Sequence, residues 1–392
     1  MVRDESGGTG PEPREARGAE EGSGARRDAG PGSGGGRIGR LLRRPATAVT
    51  AALVALASAG TGTWAAGVGP FAPDRYCWGA WEQNSGPQLL GGREVLTPGS
   101  ERTAKESAAP SPDRPRGTCT LTVTPGEDAR GTDKDVTVAY GPVPEGREKR
   151  LEWLGEWLDA SLVPLPDGVA GLVGQGKGMA VLPEECDVDG RPTAVTITAG
   201  WDRIGDERDV ADLLLAVAGE GMRRTGCASG EPMRVTSPVP EADTTPSPSS
   251  VGPTATCRIP GLAFEPAKGT HYDETVGAVT GDLHLCTLFD TSNIRRPVFA
   301  GQFAMVAQPR LRALFHGLAG SRTPGGGWRG KGWLDGSRNV LETSCGDTST
   351  VFLLQLDTYL HDVARPGTEQ AFARAVNSVA GRIGCPAPAP RR

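Results

Sequence analysis

Eight cysteines constrain this chain more than any other feature. They stand at Cys77, Cys119, Cys186, Cys227, Cys257, Cys286, Cys345 and Cys385, and none precedes residue 77. An even set confined to one region reads as a disulfide framework formed in an oxidising compartment. Eight cysteines allow about 105 pairings, but the motifs around them narrow the choice. Cys119-Thr120-Leu121 matches Cys286-Thr287-Leu288, and Val181-Leu182 precedes Cys186 as Val340-Leu341 precedes Cys345. Gly226-Cys227 matches Gly384-Cys385. The third and fourth cysteines are 41 apart in one set and 40 in the other; the first and second are 42 and 29 apart. A four-cysteine pattern met twice predicts a tandem duplication, with an insertion in a loop of the first copy.

The chain of 392 residues divides around this repeat. Residues 1–45 carry 9 Arg, 7 acids and few large apolar side chains. Such a head cannot bury enough surface to offset the entropy of ordering, so disorder is expected. It ends on a basic cluster, Arg37, Arg40, Arg43 and Arg44, followed by 29 uncharged residues from Pro45 to Pro73. About 20 apolar residues span a bilayer core, so residues 46–70 are read as a transmembrane helix or signal anchor. The basic flank keeps the head cytoplasmic and sends the rest outward. The rival reading is a cleaved signal peptide with Ala57-Ser58-Ala59 as its processing site. Either way the bulk of the chain is exported. Beyond residue 45 there are 33 basic and 40 acidic groups, a net charge of −7. That balance excludes the basic footprint of a nucleic-acid binder.

Copy 1 is assigned to residues 74–227, with a polar loop at 91–118, and copy 2 to residues 257–386. Between them, residues 228–256 are rich in Pro, Ser and Thr and read as a semi-extended linker. In copy 1, strand-like runs are expected at Tyr76–Trp81, Cys119–Thr124 and Asp135–Tyr140. A helix over Arg147–Leu162, a hairpin of Met179–Leu182 with Thr193–Thr198 and a helix over Asp209–Arg224 follow. Copy 2 offers Leu283–Phe289, Val298–Val306, Arg310–Leu318, Asn339–Thr343, Thr350–Leu356 and Thr368–Arg382 in the same order. The expected fold is α+β: two tandem disulfide-stabilised domains, each an antiparallel sheet with helices packed on it. That layout pairs Cys77–Cys119, Cys186–Cys227, Cys257–Cys286 and Cys345–Cys385. Each closure restricts the unfolded chain by about 3.5–4 kcal/mol in the loop-entropy account.

Candidate chemistry is thin. Gly171–Lys177 and Gly325–Lys331 both fit G-x-x-x-x-G-K, but Gly178 and Gly332 stand where a phosphate loop needs Ser or Thr for Mg²⁺. They read instead as flexible lead-ins to a strand. His271, His284, His316 and His361 all fall in copy 2. His271-Tyr272-Asp273-Glu274 lacks the spacing of a zinc helix and reads as an exposed loop. Asp187-Val188-Asp189-Gly190 lacks the closing Glu of a calcium loop and reads as a hairpin turn. Glu184 and Glu185 are adjacent, so on a strand they point to opposite faces and cannot act as a carboxylate pair. The tryptophans Trp78, Trp81, Trp153, Trp157, Trp201, Trp328 and Trp333 read as core anchors rather than a ligand groove. No catalytic, metal or cofactor residue is assigned.

Arg outnumbers Lys 36 to 6, and Ala, Gly and Pro are abundant. The disordered head, the apolar segment, Asp74-Arg-Tyr-Cys77-Trp-Gly-Ala-Trp81 and the Val-Leu-x-x-x-Cys motifs together resemble streptomycete-type (actinobacterial) membrane-anchored envelope proteins with duplicated four-cysteine ectodomains. The resemblance implies structure, not a catalytic residue or a ligand. The functional expectation is a non-enzymatic, membrane-anchored extracytoplasmic binding or interaction module. Its partner would be an envelope protein, a cell-wall component such as peptidoglycan, or a small ligand, engaged bivalently across the linker. The alternative is an extracytoplasmic hydrolase whose site lies only in copy 2, where the histidines are.

Overall fold

The structure, a computed structural model, describes residues 74–90, 100–125, 132–200, 203–227, 233–241, 251–253, 255–293 and 296–391. The expected disordered head and the membrane segment 46–70 lie outside the described residues. Among the described residues no helix is long and apolar enough to cross a membrane. All of them belong to one compact unit, Pro70–Arg392.

The fold is α+β, with two large antiparallel sheets and three two-stranded antiparallel pairs. Sheet 1 is built from β1 (Glu101–Glu106), β2 (Gly117–Thr124), β3 (Lys134–Pro142), β4 (Val163–Pro164), β5 (Gly171–Val173), β6 (Lys177–Val181) and β7 (Thr193–Ala199). Sheet 2 holds β8 (Tyr272–Val279), β9 (Leu283–Asp290), β10 (Val298–Val306), β11 (Lys331–Asp335), β12 (Arg338–Cys345) and β13 (Thr348–Leu356). Their spatial orders are β1-β2-β3-β7-β6-β5-β4 and β8-β9-β10-β13-β12-β11. Apart from the two-residue β4, the two orders are the same. The helices are α1 (Arg147–Trp157), α2 (Glu207–Thr225), α3 (Pro309–Ala313), α4 (Thr358–Val363) and α5 (Thr368–Arg382).

Alternation explains the strands. In β2, Cys119, Leu121 and Val123 are buried while Thr118 and Thr124 are exposed and Thr120 and Thr122 half-buried, the pattern of a strand with one covered face. The cover is α2. Its Leu214, Val217, Ala218 and Met222 are buried against that face of sheet 1. Asp206 caps α2 by accepting from the Asp209 N–H, and Gly226 ends it in the left-handed region at φ 72°, where glycine carries no side-chain penalty. Sheet 2 is covered in the same way by α5 through Phe372, Ala375, Val376 and Val379.

A third core joins the halves. Leu151, Leu154 and Trp157 of α1, with Leu172 and Met179 of sheet 1, pack in one cluster with Leu285, Ala304 and Leu353 of sheet 2. Leu311 of α3 and the following turn, Leu314 and Phe315, complete it. The layers therefore run α2, sheet 1, a middle layer of α1 and α3, sheet 2 and α5. Polar links cross the same boundary. The Arg150 Nε donates to the Pro144 carbonyl at 2.6 Å and its Nη1 to the Leu314 carbonyl at 3.2 Å. Arg310 donates to the Leu182 carbonyl at 2.8 Å and pairs with Asp187 at 2.6 Å. Burial holds the Arg150 guanidinium below its ordinary pKa, and Arg191 adds to the effect.

Several local expectations change. Residues 101–106, expected inside a polar loop, form edge strand β1. The sequence Glu-Arg-Thr-Ala-Lys-Glu has no apolar alternation because both its faces are open, and its charges blunt a free sheet edge. The run expected at Tyr76–Trp81 is a hairpin of Arg75–Tyr76 with Trp81–Glu82, interrupted by a 3₁₀ turn at Cys77–Gly79. The helix expected to reach Leu162 stops at Trp157, where Asp159 organises a turn by accepting from the Ser161 N–H. The helix expected over Arg310–Leu318 is shorter and continues as turns. His271–Glu274, read as an exposed loop, runs into β8, with Tyr272 and Glu274 buried. Gly171–Lys177, read as a flexible lead-in, is the β5–β6 hairpin.

The linker is also more engaged than its composition suggests. Val235 is buried, and Met233 and Val239 pack on the core of sheet 1. Asp167 accepts from the backbone N–H groups of Thr236 and Ser237 and from both hydroxyls. Those four donors hold its carboxyl well below the ordinary range, led by the Ser237 hydroxyl. At the far end Val251 is buried and donates to the Tyr272 carbonyl.

Candidate functional site

The cysteines form four bridges: Cys77–Cys119, Cys186–Cys227, Cys257–Cys286 and Cys345–Cys385. Their Cα separations, 5.3, 5.1, 5.5 and 5.0 Å, are ordinary for disulfides. None crosses from one sheet's half to the other. The first bridge of each half pins a tight turn to the second strand of its sheet. Those turns place Cys77, Trp78, Cys257 and Arg258 at positive φ. The last bridge of each half lies at the end of the helix covering the sheet. Glu274 lies close to Cys257 and Cys286, but both sulfurs are in the bridge and offer no thiolate to a metal.

The remaining motifs are spoken for structurally. His284 is buried on β9, with its Nε2 3.2 Å from the Cys257 carbonyl and its Nδ1 2.6 Å from the Arg382 guanidinium. Arginine can only donate, so Nδ1 accepts and Nε2–H donates: the ring is neutral. Burial first, then Arg382, pushes its pKa down to about 4. His361 shares a 2.7 Å hydrogen bond with the Thr368 hydroxyl. Asp187 belongs to Arg310, and Asp189-Gly190 forms a turn with positive φ at both residues. Trp78, Trp81, Trp157 and Trp328 are buried, whereas Trp153 and Trp333 are half-buried. Arg147 lies 4.4 Å above the Trp333 ring. Trp201 lies outside the described residues.

What sequence reasoning missed is a cleft of about 840 Å³ between α1 and sheet 2. Its floor includes Thr287, Gln355 and Arg338, three members of a polar row running across the sheet. Thr287 of β9 faces Gln302 of β10, which faces Gln355 of β13, which faces Arg338 of β12. Direct cross-strand partners project to the same face. The Thr287 hydroxyl accepts from the Ala160 N–H at 2.9 Å, and Gln355 donates to the Leu151 carbonyl at 3.2 Å. Gln302 is wholly buried, and neither its amide nitrogen nor its oxygen has a partner among the described residues. Leaving both unpaired costs on the order of 1–3 kcal/mol per group.

The wall opposite is acidic. Glu148, Glu152 and Glu156 recur every fourth residue along α1 and line the cleft with Asp159. Lys177 neutralises Asp159 at 2.6 Å and caps the helix by donating to the Glu156 carbonyl at 3.1 Å. Asp357, at the rim, caps α4 through the Leu360 N–H. Burial, with a contribution from Asp290, raises its pKa. Phe289 and Phe299 supply apolar surface. A Cβ at Gly155 would stand 2.8 Å from the Gln355 Nε2, so any larger residue there would have to displace that amide. The sequence held one signal for this site: two glutamines at inward positions of otherwise apolar strands.

Comparison with protein-family models, with curated proteins and with solved structures finds no match to this chain.

Proposed function

We propose that the chain is a membrane-anchored, extracytoplasmic binding module, non-enzymatic, built from two duplicated halves that hold a ligand between them. The cleft carries this reading, because it combines an accessible volume with three polar side chains of sheet 2, Thr287, Gln355 and Arg338, set opposite an acidic helix. Concave sites of several hundred Å³ with a few convergent polar groups are where small ligands bind. Four disulfides support an oxidising compartment. The basic cluster followed by the uncharged run Pro45–Pro73 supports one membrane pass with the head inside. The equal strand orders support descent of the halves from a common unit. The alternative, a hydrolase confined to copy 2, draws less support: His284 commits both ring nitrogens to the fold, and no histidine lines the cleft among the described residues.

A binder engaged through its shared cleft differs from one engaging two separate partners across a linker. The test is thermal unfolding of the purified full chain with and without a concentrated small-molecule extract of the cell envelope. Wild-type protein should gain stability, and Glu152→Trp, which fills the mouth of the cleft from an exposed position, should not. Equal stabilisation of both proteins would place the ligand elsewhere.

A further inference from the structure

The electrostatics of the cleft point to the class of ligand. On a helix, like charges four residues apart destabilise it by about 0.2–0.5 kcal/mol per pair, and α1 places three glutamates in that relation. An acid near a helix C-terminus also opposes the helix dipole; Glu156 sits in the last turn of α1, which holds no basic residue. None of the three glutamates has an ion pair or side-chain hydrogen bond among the described residues. The arginines of α1 are engaged elsewhere, Arg147 over Trp333 and Arg150 with the Pro144 and Leu314 carbonyls. Lys177 is taken by Asp159. Among the described residues, Arg338 at the far end of the polar row is the one cationic side chain of the lining without a carboxylate partner.

Geometry narrows the class further. A carboxylate every four helical residues repeats about every 6 Å along the axis. Ammonium groups separated by four methylenes in an extended chain match that repeat. Opposite the glutamates lie apolar Phe289 and Phe299, which suit methylenes, and the amide of Gln355, whose oxygen accepts N–H donors. The unpartnered Gln302 amide, independent of the acidic stripe, is buried on the same sheet face between Thr287 and Gln355, which both line the cleft.

We propose that the cleft binds a linear aliphatic polyamine, its ammonium groups on Glu148, Glu152 and Glu156 and its methylenes against Phe289 and Phe299. The inference rests on the reading of the cleft as the ligand site. The test is calorimetric titration of the purified full chain with spermidine at fixed ionic strength, with Mg²⁺ as comparator. Spermidine should saturate at one per chain, and replacing Glu152→Gln and Glu156→Gln together should weaken it about a hundredfold or more, roughly tenfold for each carboxylate neutralised. Phe299→Ala should weaken spermidine by about tenfold and leave the response to Mg²⁺ unchanged. Absence of saturable spermidine binding, equal affinity for Mg²⁺, or wild-type affinity in the double variant would each overturn the proposal. If spermidine fails while envelope extract still stabilises wild-type protein and not Glu152→Trp, the polyamine is wrong and the cleft stands.

Discussion

His284 should make the stability of this protein fall steeply on mild acidification. The ring is fully buried, accepts from Arg382 and donates to the Cys257 carbonyl. Protonation would put a second positive charge against the guanidinium with no carboxylate to answer it. In the unfolded chain the imidazole titrates near its ordinary value, about 6.5, whereas in the folded protein its pKa is pushed down to about 4. The unfolded state therefore takes up the proton first. Stability is complete above about pH 6.5, declines as pH falls, and levels off below about pH 4. The full span corresponds to about 3 kcal/mol, of which about 2 kcal/mol is lost between about pH 7.5 and pH 5. The matched variant is His284→Gln, whose amide can accept from Arg382 and donate to Cys257 at every pH. Urea unfolding followed by tryptophan fluorescence at the two pH values gives the difference for each protein. Groups common to both, including Asp357, whose raised pKa acts in the opposite sense, cancel in the comparison. The variant should lose about 2 kcal/mol less than wild type on acidification, whatever its stability at neutral pH. Equal losses in the two proteins would refute the reasoning.

Three further outcomes test the packing. Leu154→Ala, in the core shared by both sheets, should cost about 2–5 kcal/mol and leave one unfolding transition rather than two in calorimetry. Gly277→Ala should destabilise the chain by about 1–3 kcal/mol in denaturant titration, because its Cβ would collide with the Ala160 carbonyl oxygen of the other half. Asp167→Ala removes the acceptor of four hydrogen bonds from Thr236 and Ser237. Limited proteolysis should then cut the 228–256 segment faster, with the sites read by mass spectrometry.

Legibility in the sequence followed burial. Strands with one covered face announced themselves: Val136, Val138 and Tyr140 are buried beneath α2 as their alternation requires. The α2 and α5 stripes were equally plain, because a helix lying on a sheet needs a continuous apolar face. Edge strand β1 was silent, since neither of its faces is covered. The contact between the halves was harder still. Leu285 and Leu353 read as ordinary strand residues and Leu172 as part of a flexible lead-in, and nothing local says that their partners come from the other half. Arg310 and Asp187 likewise gave no hint of pairing across more than a hundred residues. The cleft inherits that difficulty: its acidic wall and its amide floor belong to different halves, so no motif of contiguous residues could spell it.

That division of the cleft has a consequence for how the protein behaves when scarce. A site walled by two separate subunits dissolves on dilution, because its assembly is bimolecular. Here both walls are carried by one polypeptide, and the segment between them is tied down at Asp167 on one side and at Val251 on the other. Closure of the two walls is thus unimolecular, and a solitary molecule keeps a complete cleft at any concentration.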